Sequence, residues 1–151
     1  MMLHDRLVKE IIAKDRSKID LSIYEDQAFL CRVLLHAADL SNPTRNFRVA
    51  KIWADLISSE FSNQVTNEEA LGIKVNAWMR SNNLLESVTK EIGFVENVAR
   101  PMWSAIVELF PWNDHLLTQL DQNTANYKQL KKELEAEEVK KTPQENLLKL
   151  V

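Results

Sequence analysis

The apolar residues of this 151-residue chain recur at intervals of three and four along almost its whole length. That spacing places them on one face of a helix, because an α-helix turns once every 3.6 residues. The chain has two glycines and four prolines, too few for a protein built on many tight turns. We therefore predict an all-α fold. Because the pattern is not a clean heptad, we expect a globular multi-helix bundle rather than a coiled coil.

Turn residues between the apolar stripes predict where the helices lie. Ser22 and Glu25 fit a capping box at a helix start, and Pro101 predicts a kink or two abutting helices inside the longest stripe. We expect residues 1–141 to form the domain and residues 142–151 a flexible tail. The expected helices cover about residues 3–12, 22–40, 45–61, 84–109 and 114–134, and the polar stretch 62–72 is expected to be less regular.

Charge and cysteine content exclude several classes of protein. The net charge of −3 excludes a broadly basic nucleic-acid binder. Cys31 is the only cysteine, so an internal disulfide is impossible, and a reducing, cytoplasmic location is the simplest expectation. The longest stretch without a charged residue is seven residues, too short for a transmembrane helix or a signal-peptide core.

Asp39 is the polar residue whose position is hardest to explain by packing alone. It ends an apolar helix and precedes the turn residues Ser41, Asn42 and Pro43. A carboxylate there is costly unless it binds a cation or amide donors, and Asn42 offers both a donor and an acceptor nearby. His36 lies three residues before Asp39, but such a pair is more often a core histidine and a helix-end carboxylate. A self-contained zinc site needs three or four ligands.

The segment 35–44, Leu-His-Ala-Ala-Asp-Leu-Ser-Asn-Pro-Thr, resembles the second metal-binding motif of class I cyclic nucleotide phosphodiesterases. Residues 92–95, Ile-Gly-Phe-Val, and 101–103, Pro-Met-Trp, are similar to the nucleotide-pocket helix of that family. The resemblance covers about residues 33–112 closely and the flanking helices more loosely. Residues between these motifs also fall at the family's spacing: Trp53, Glu60, Phe61, Gln64 and Gly72.

The resemblance implies an activity and a set of site residues. Members hydrolyse the cyclic phosphodiester of cAMP or cGMP to the 5'-monophosphate at two divalent metals, zinc and magnesium or manganese. It implies that Asp39 is a metal ligand and that Asn42 contacts the nucleotide. Ile57 and Phe94 would clamp the two faces of the purine. Trp53 and Phe61 would lie near that pocket or serve as core aromatics.

Part of the family's catalytic set is absent. Its metal-binding histidines, one aspartate and the general-acid histidine belong to upstream His-Asn-x-x-His and His-Asp motifs; this sequence has no His-Asn-x-x-His motif, and its one His-Asp dipeptide is His4-Asp5. We expect the chain to be the C-terminal half of a catalytic domain, a fragment that does not turn over cyclic nucleotide alone. Its expected partners are the missing N-terminal half and, through the apolar surface left uncovered, a second copy in a homo-oligomer.

Glu91 departs from the family, which has a purine-reading glutamine three residues before the phenylalanine of its Gly-Phe pair. An ionised glutamate only accepts hydrogen bonds. Glu91 would therefore accept from the amino group of adenine and be repelled by O6 and N7 of guanine, which favours cAMP. If guanine presented N1–H and its 2-amino group instead, the preference would reverse. A protonated Glu91 in an apolar pocket is a third state.

Two other classes of function are compatible with the sequence. A degenerate paralogue would bind a nucleotide or a partner without turnover, as the absent histidines and Glu91 suggest. A plain helical interaction module would use Asp39 only as a capping group. An upstream His-Asn-x-x-His segment in the parent gene would favour the enzyme over both.

Overall fold

The computed structural model describes residues 2–148, and over this range the chain forms six α-helices and no strand. The all-α prediction is confirmed. No helix in this range is both long and apolar enough to cross a bilayer. The helices are α1 Met2–Ala13, α2 Tyr24–Asp39, α3 Phe47–Ala70, α4 Leu84–Phe94, α5 Arg100–Leu109 and α6 Asp114–Leu148.

The hydrophobic core is built around α5. This helix packs against α1, α2 and α6, and it contributes Met102, Ile106 and Leu109, each at most 2% exposed. The neighbouring helices close the core with side chains spaced three or four residues apart, as the sequence pattern predicts. The residues that they contribute are Val8, Ile11, Phe29, Val33, Ala37 and Leu120.

Helices α4 and α5 are joined by one wide turn rather than by a loop. Residues Val95–Ala99 form this turn with π-helical hydrogen bonding, and Pro101 lies in the first turn of α5. Proline has no amide hydrogen and interrupts regular α-helical hydrogen bonding, so a π turn directly before it accommodates the residue. The prediction of two abutting helices at Pro101 is therefore confirmed.

Helix α3 is longer than the sequence pattern suggested. Its N-cap is Asn46, whose side chain accepts from the Val49 amide at 3.1 Å; the helix ends at Ala70 and is followed by Gly72, which has φ of +67°. The Ile73 amide then donates to the Glu68 carbonyl at 2.9 Å, as in a Schellman motif. The prediction that residues 62–72 are irregular was wrong, because this part of α3 is largely solvated and needs no apolar stripe.

The predicted capping box at Ser22 is also wrong. The Ser22 amide and hydroxyl both donate to the Asp20 carboxylate at 2.8 Å, so Ser22 does not cap α2. The first turn of α2 is instead held by Asp26, which is 6% exposed. Asp26 accepts from Lys14 at the end of α1 and from the Asp20 amide. A carboxylate in this position also complements the helix dipole.

The apolar stripe of α3 is largely exposed. Ile52, Trp53, Leu56 and Ile57 are 50%, 44%, 56% and 40% exposed, respectively. A contiguous apolar surface of this kind favours association with another chain. Homo-oligomerisation stays a prediction, as does flexibility of the segment from residue 142. The backbone of α6 is helical to Leu148, and residues 149–151 lie outside the described part of the chain.

Helices α1 and α2 also meet at two histidines. His4 Nδ1 and His36 Nε2 are 2.9 Å apart, so one imidazole must donate and the other accept. The His4 side chain is 8% exposed. Burial, and then the neighbouring His36, lower the pKa of His4 below its ordinary value. The contact therefore favours a neutral His4.

This pair predicts how stability depends on pH. Because folded His4 binds a proton less readily than unfolded His4, the free energy of unfolding should fall as the pH drops below about 6.5. Urea midpoints measured between about pH 7.5 and pH 5 should show this loss. The variant His4→Gln should have a shallower dependence, whereas His115→Gln, at an exposed histidine, should behave like the parent. Equal slopes in all three proteins would contradict the prediction.

Candidate functional site

Five side chains singled out in the sequence lie around one cavity of about 370 Å³. Asp39 and Asn42 line it from the end of α2 and the following turn, Ile57 from α3, and Glu91 and Phe94 from α4. These residues come from three separate segments of the chain. The fold therefore brings the predicted metal ligand and the predicted nucleotide contacts to one place.

The turn that carries Asn42 is fixed from behind by α6. Asn123 is fully buried, and its Nδ2 donates to the carbonyls of Pro43 at 2.7 Å and Arg45 at 2.6 Å. Gln119 donates in turn to Asn123 Oδ1 at 3.0 Å. Sequence reasoning missed Asn123. The available signal was a polar residue on the apolar face of α6, in register with Leu120 and Tyr127.

Trp103 holds the end of α2 in place. Its indole is 6% exposed, and Nε1 donates to the Leu40 carbonyl at 3.0 Å. The last carbonyls of a helix have no intrahelical donor, so this hydrogen bond supplies one next to Asp39. The indole thereby joins the core of α5 to the rim of the cavity.

Asp39 is exposed, and its carboxylate has no hydrogen bond or ion pair to any described residue. It lies at the end of α2 that carries the partial negative charge of the helix dipole, where a carboxylate is disfavoured unless a cation approaches it. These features fit one ligand of a metal ion. Within the described residues, no group of three or more His, Cys, Asp or Glu side chains could hold a metal. Asp39 thus fits as one part of a metal site and does not form one alone.

The apolar walls of the cavity come from α3 and α4. Ile57 and Phe94 are 40% and 36% exposed, which leaves apolar surface free to pack against a flat ring. Phe61 also lines the cavity and packs edge-on against Trp78, with ring centroids 6.2 Å apart. Trp53 does not line it. Trp78 belongs to residues 76–80, which depart from the loop sequence of the family that the chain resembles and were expected around the pocket entrance.

Glu91 is a titratable residue on the α4 side of the cavity. Its carboxyl is half-buried. Burial, and to a lesser degree the charge of Asp55, raise the pKa of Glu91 to about 7. Near neutral pH its protonated and ionised forms are therefore both populated. The group can donate a hydrogen bond in one form and only accepts in the other.

The chain is an all-α domain with an apolar cavity that is bordered by two carboxylates, Asp39 and Glu91. Residues 1–120 match the 3'5'-cyclic nucleotide phosphodiesterase family. The chain belongs to this family, which confirms the resemblance drawn from the motifs around Asp39 and Phe94.

Relatives and solved structures agree with the assignment. Over 114 residues, 75% of this chain, it is 31% identical to the high affinity cGMP-specific 3',5'-cyclic phosphodiesterase 9A of Homo sapiens. Over 111 residues, 72% of this chain, it is 29% identical to a probable 3',5'-cyclic-AMP phosphodiesterase, pde-4, of Caenorhabditis elegans. The phosphodiesterase domain of the RhoPDE fusion protein from Salpingoeca rosetta superposes on 90% of the chain with a TM-score of 0.82 and 29% identity.

The chain spans only part of these proteins. It covers 19% of the human relative, 16% of the worm relative and 44% of the Salpingoeca rosetta chain. The fold and the family are therefore shown for this stretch of sequence.

Proposed function

We propose that this chain forms the nucleotide-binding part of a 3',5'-cyclic nucleotide phosphodiesterase catalytic domain. The observation that carries the proposal is the convergence of Asp39, Asn42, Ile57, Glu91 and Phe94 on one cavity. The parent enzyme would hydrolyse cAMP, cGMP or both in cyclic nucleotide signalling. The human relative is named for cGMP and the worm relative for cyclic AMP, so their names do not assign the base.

In this proposal each cavity residue has a distinct role. Asn42 hydrogen-bonds the nucleotide through its amide, and Ile57 and Phe94 pack against the two faces of the purine. Glu91 contacts the polar edge of the base. Asp39 would supply one carboxylate ligand to the divalent metals of the family, zinc and magnesium or manganese, which when bound polarise the phosphodiester.

The remaining metal ligands and the general acid would come from another polypeptide segment. The 151 residues contain no His-Asn-x-x-His motif, and the one His-Asp dipeptide, His4-Asp5, belongs to α1, where His4 is paired with His36. We therefore propose that the natural partner of this chain is the N-terminal half of the catalytic domain. The single cysteine, Cys31, is a free and exposed thiol, which supports a proposed location in a reducing compartment such as the cytoplasm.

The proposal predicts that the purified chain does not hydrolyse cyclic nucleotides. It should produce no 5'-monophosphate above the blank from cAMP or cGMP with added zinc and magnesium, because one carboxylate cannot hold a metal pair. Adding a separately produced upstream half of a related domain should restore turnover. Asp39→Ala should abolish that restored activity, whereas Glu108→Ala, at an exposed carboxylate of α5, should retain it.

The outcomes separate the enzyme from its alternative. Turnover by the chain alone that disappears in Asp39→Ala would contradict the proposed inactivity. A degenerate paralogue, which the glutamate at position 91 favours, would bind cAMP or cGMP in a calorimetric titration and stay inactive after the upstream half is added.

A further inference from the structure

The hydroxyl of Tyr127 is the feature that the proposed function leaves unexplained. The side chain is 2% exposed and packs edge-on against Phe47, with ring centroids 5.0 Å apart. Among the described residues, Tyr127 Oη is the buried side-chain polar atom without a hydrogen-bond partner. Burying a hydroxyl in this state is costly, so its surroundings should contain a group that satisfies it.

A small cavity of about 10 Å³ lies beside this hydroxyl. Its polar lining consists of Lys51 and Asp55 from α3, Ser87 and Glu91 from α4, and Tyr127 from α6. This volume is about the minimum that holds the centre of one water molecule. The cavity also has the polar partners that a buried water requires. Glu91 lines the large cavity as well, so this residue borders both spaces.

We propose that one water molecule binds in this small cavity and joins the Tyr127 hydroxyl to the carboxyl groups of Glu91 and Asp55. Tyr127 is then a positioning residue for Glu91. The phenol donates to the water, and the water donates to the carboxylates, which when ionised are acceptors only. This donor chain stabilises the ionised form of Glu91.

The charges around Glu91 are consistent with this arrangement. From α3, Asp55 faces Glu91, while Lys51 pairs with Asp55 at 2.7 Å. On α4 itself, Lys90 donates to the Arg80 carbonyl and to Ser81, and Asp39 lies elsewhere on the wall of the large cavity. Burial, then Glu91 and then Asp55, raise the pKa of Tyr127, so the phenol stays protonated and remains a donor.

The consequence for base selection rests on the proposed function. An ionised Glu91 accepts from the amino group of adenine, and a protonated Glu91 donates to O6 or N7 of guanine. The preference between the two bases would then change with pH near neutrality. Tyr127 would set the pH at which it changes, without touching the nucleotide.

The test measures the titration of the Glu91 side-chain carboxyl by ¹³C NMR in the full chain, with no nucleotide or metal. Tyr127→Phe should raise the Glu91 midpoint by about 0.5–1 pH unit, because it removes one net hydrogen bond to the ionised form. Asp55→Asn should lower it by removing a like charge. Tyr24→Phe, at a tyrosine 76% exposed, should leave it unchanged.

Two results would overturn the inference. One is a Glu91 midpoint that does not move in Tyr127→Phe. The other is a higher urea midpoint for Tyr127→Phe, since deleting a hydroxyl that has no partner stabilises a protein, whereas deleting one that binds water does not. Neither measurement requires turnover or nucleotide binding, so a failure of this inference can be distinguished from a failure of the proposed function.

Discussion

Replacing Trp103 with alanine is expected to lower the free energy of unfolding by about 3–5 kcal/mol. The indole is 6% exposed in the core around α5, so the substitution opens a cavity and also removes the donor to the Leu40 carbonyl. Urea denaturation of the purified chain measures the change. Trp112→Ala is the matched control, because that indole is 68% exposed and its loss should cost less than about 1 kcal/mol.

The variant Trp103→Phe separates packing from hydrogen bonding. It keeps an aromatic ring in the core but removes the donor, so the expected cost is about 1–3 kcal/mol. Amide hydrogen exchange at Ser41 should accelerate in both variants, since the hydrogen bond fixes the chain beside Asp39. A Trp103→Ala protein as stable as Trp112→Ala would contradict this account of α5.

Replacing Asn123 with alanine is expected to lower the free energy of unfolding by roughly 2–4 kcal/mol, since each buried group left unpaired costs about 1–3 kcal/mol. The buried carbonyl of Pro43 and the part-buried carbonyl of Arg45 would each lose this donor. Asn123→Asp should be more destabilising, because a carboxylate would face two carbonyl oxygens and could donate to neither.

The control for Asn123 lies on the same helix. Asn126 is exposed on α6, so Asn126→Ala should be neutral or slightly stabilising through the higher helix propensity of alanine. Urea midpoints compare the variants, and amide exchange at Asn42, Thr44 and Arg45 reports on the turn itself. An Asn123→Ala protein with protected amides in that turn would show that α6 does not hold it.

The helices and the cavity residues followed from local patterns in the sequence. Apolar spacing places residues on a helix face wherever a core covers it, so the stripe through Met102, Ile106 and Leu109 was recognised correctly. The spacing of the motifs identified five candidate site residues, and all of them line the large cavity: Asp39, Asn42, Ile57, Glu91 and Phe94. Their individual roles stay predictions.

Features that depend on distant partners could not be predicted in the same way. Ser22 looked like a cap until Asp20 supplied a nearer acceptor. The stripe on α3 was amphipathic in sequence, but periodicity does not tell whether another element covers it. The partners of Asn123 and Tyr127 lie some 30–80 residues away in the sequence: Pro43 and Arg45 for Asn123, and Glu91 for Tyr127. A local sequence pattern cannot reveal such partners, because they belong to other segments of the chain.

The wide turn at Val95–Ala99 determines which way the side chains of α5 face relative to those of α4. Each residue of an α-helix advances the side-chain direction by about 100°, and a π turn fits an extra residue into that count. Glu91 and Phe94 before the turn line the cavity, whereas Met102 and Ile106 after it pack in the core. The extra residue therefore changes the angle between the side chains before the turn and those after it. As a result, α4 and α5 can follow one another almost without a break while α4 lines the cavity and α5 packs into the core.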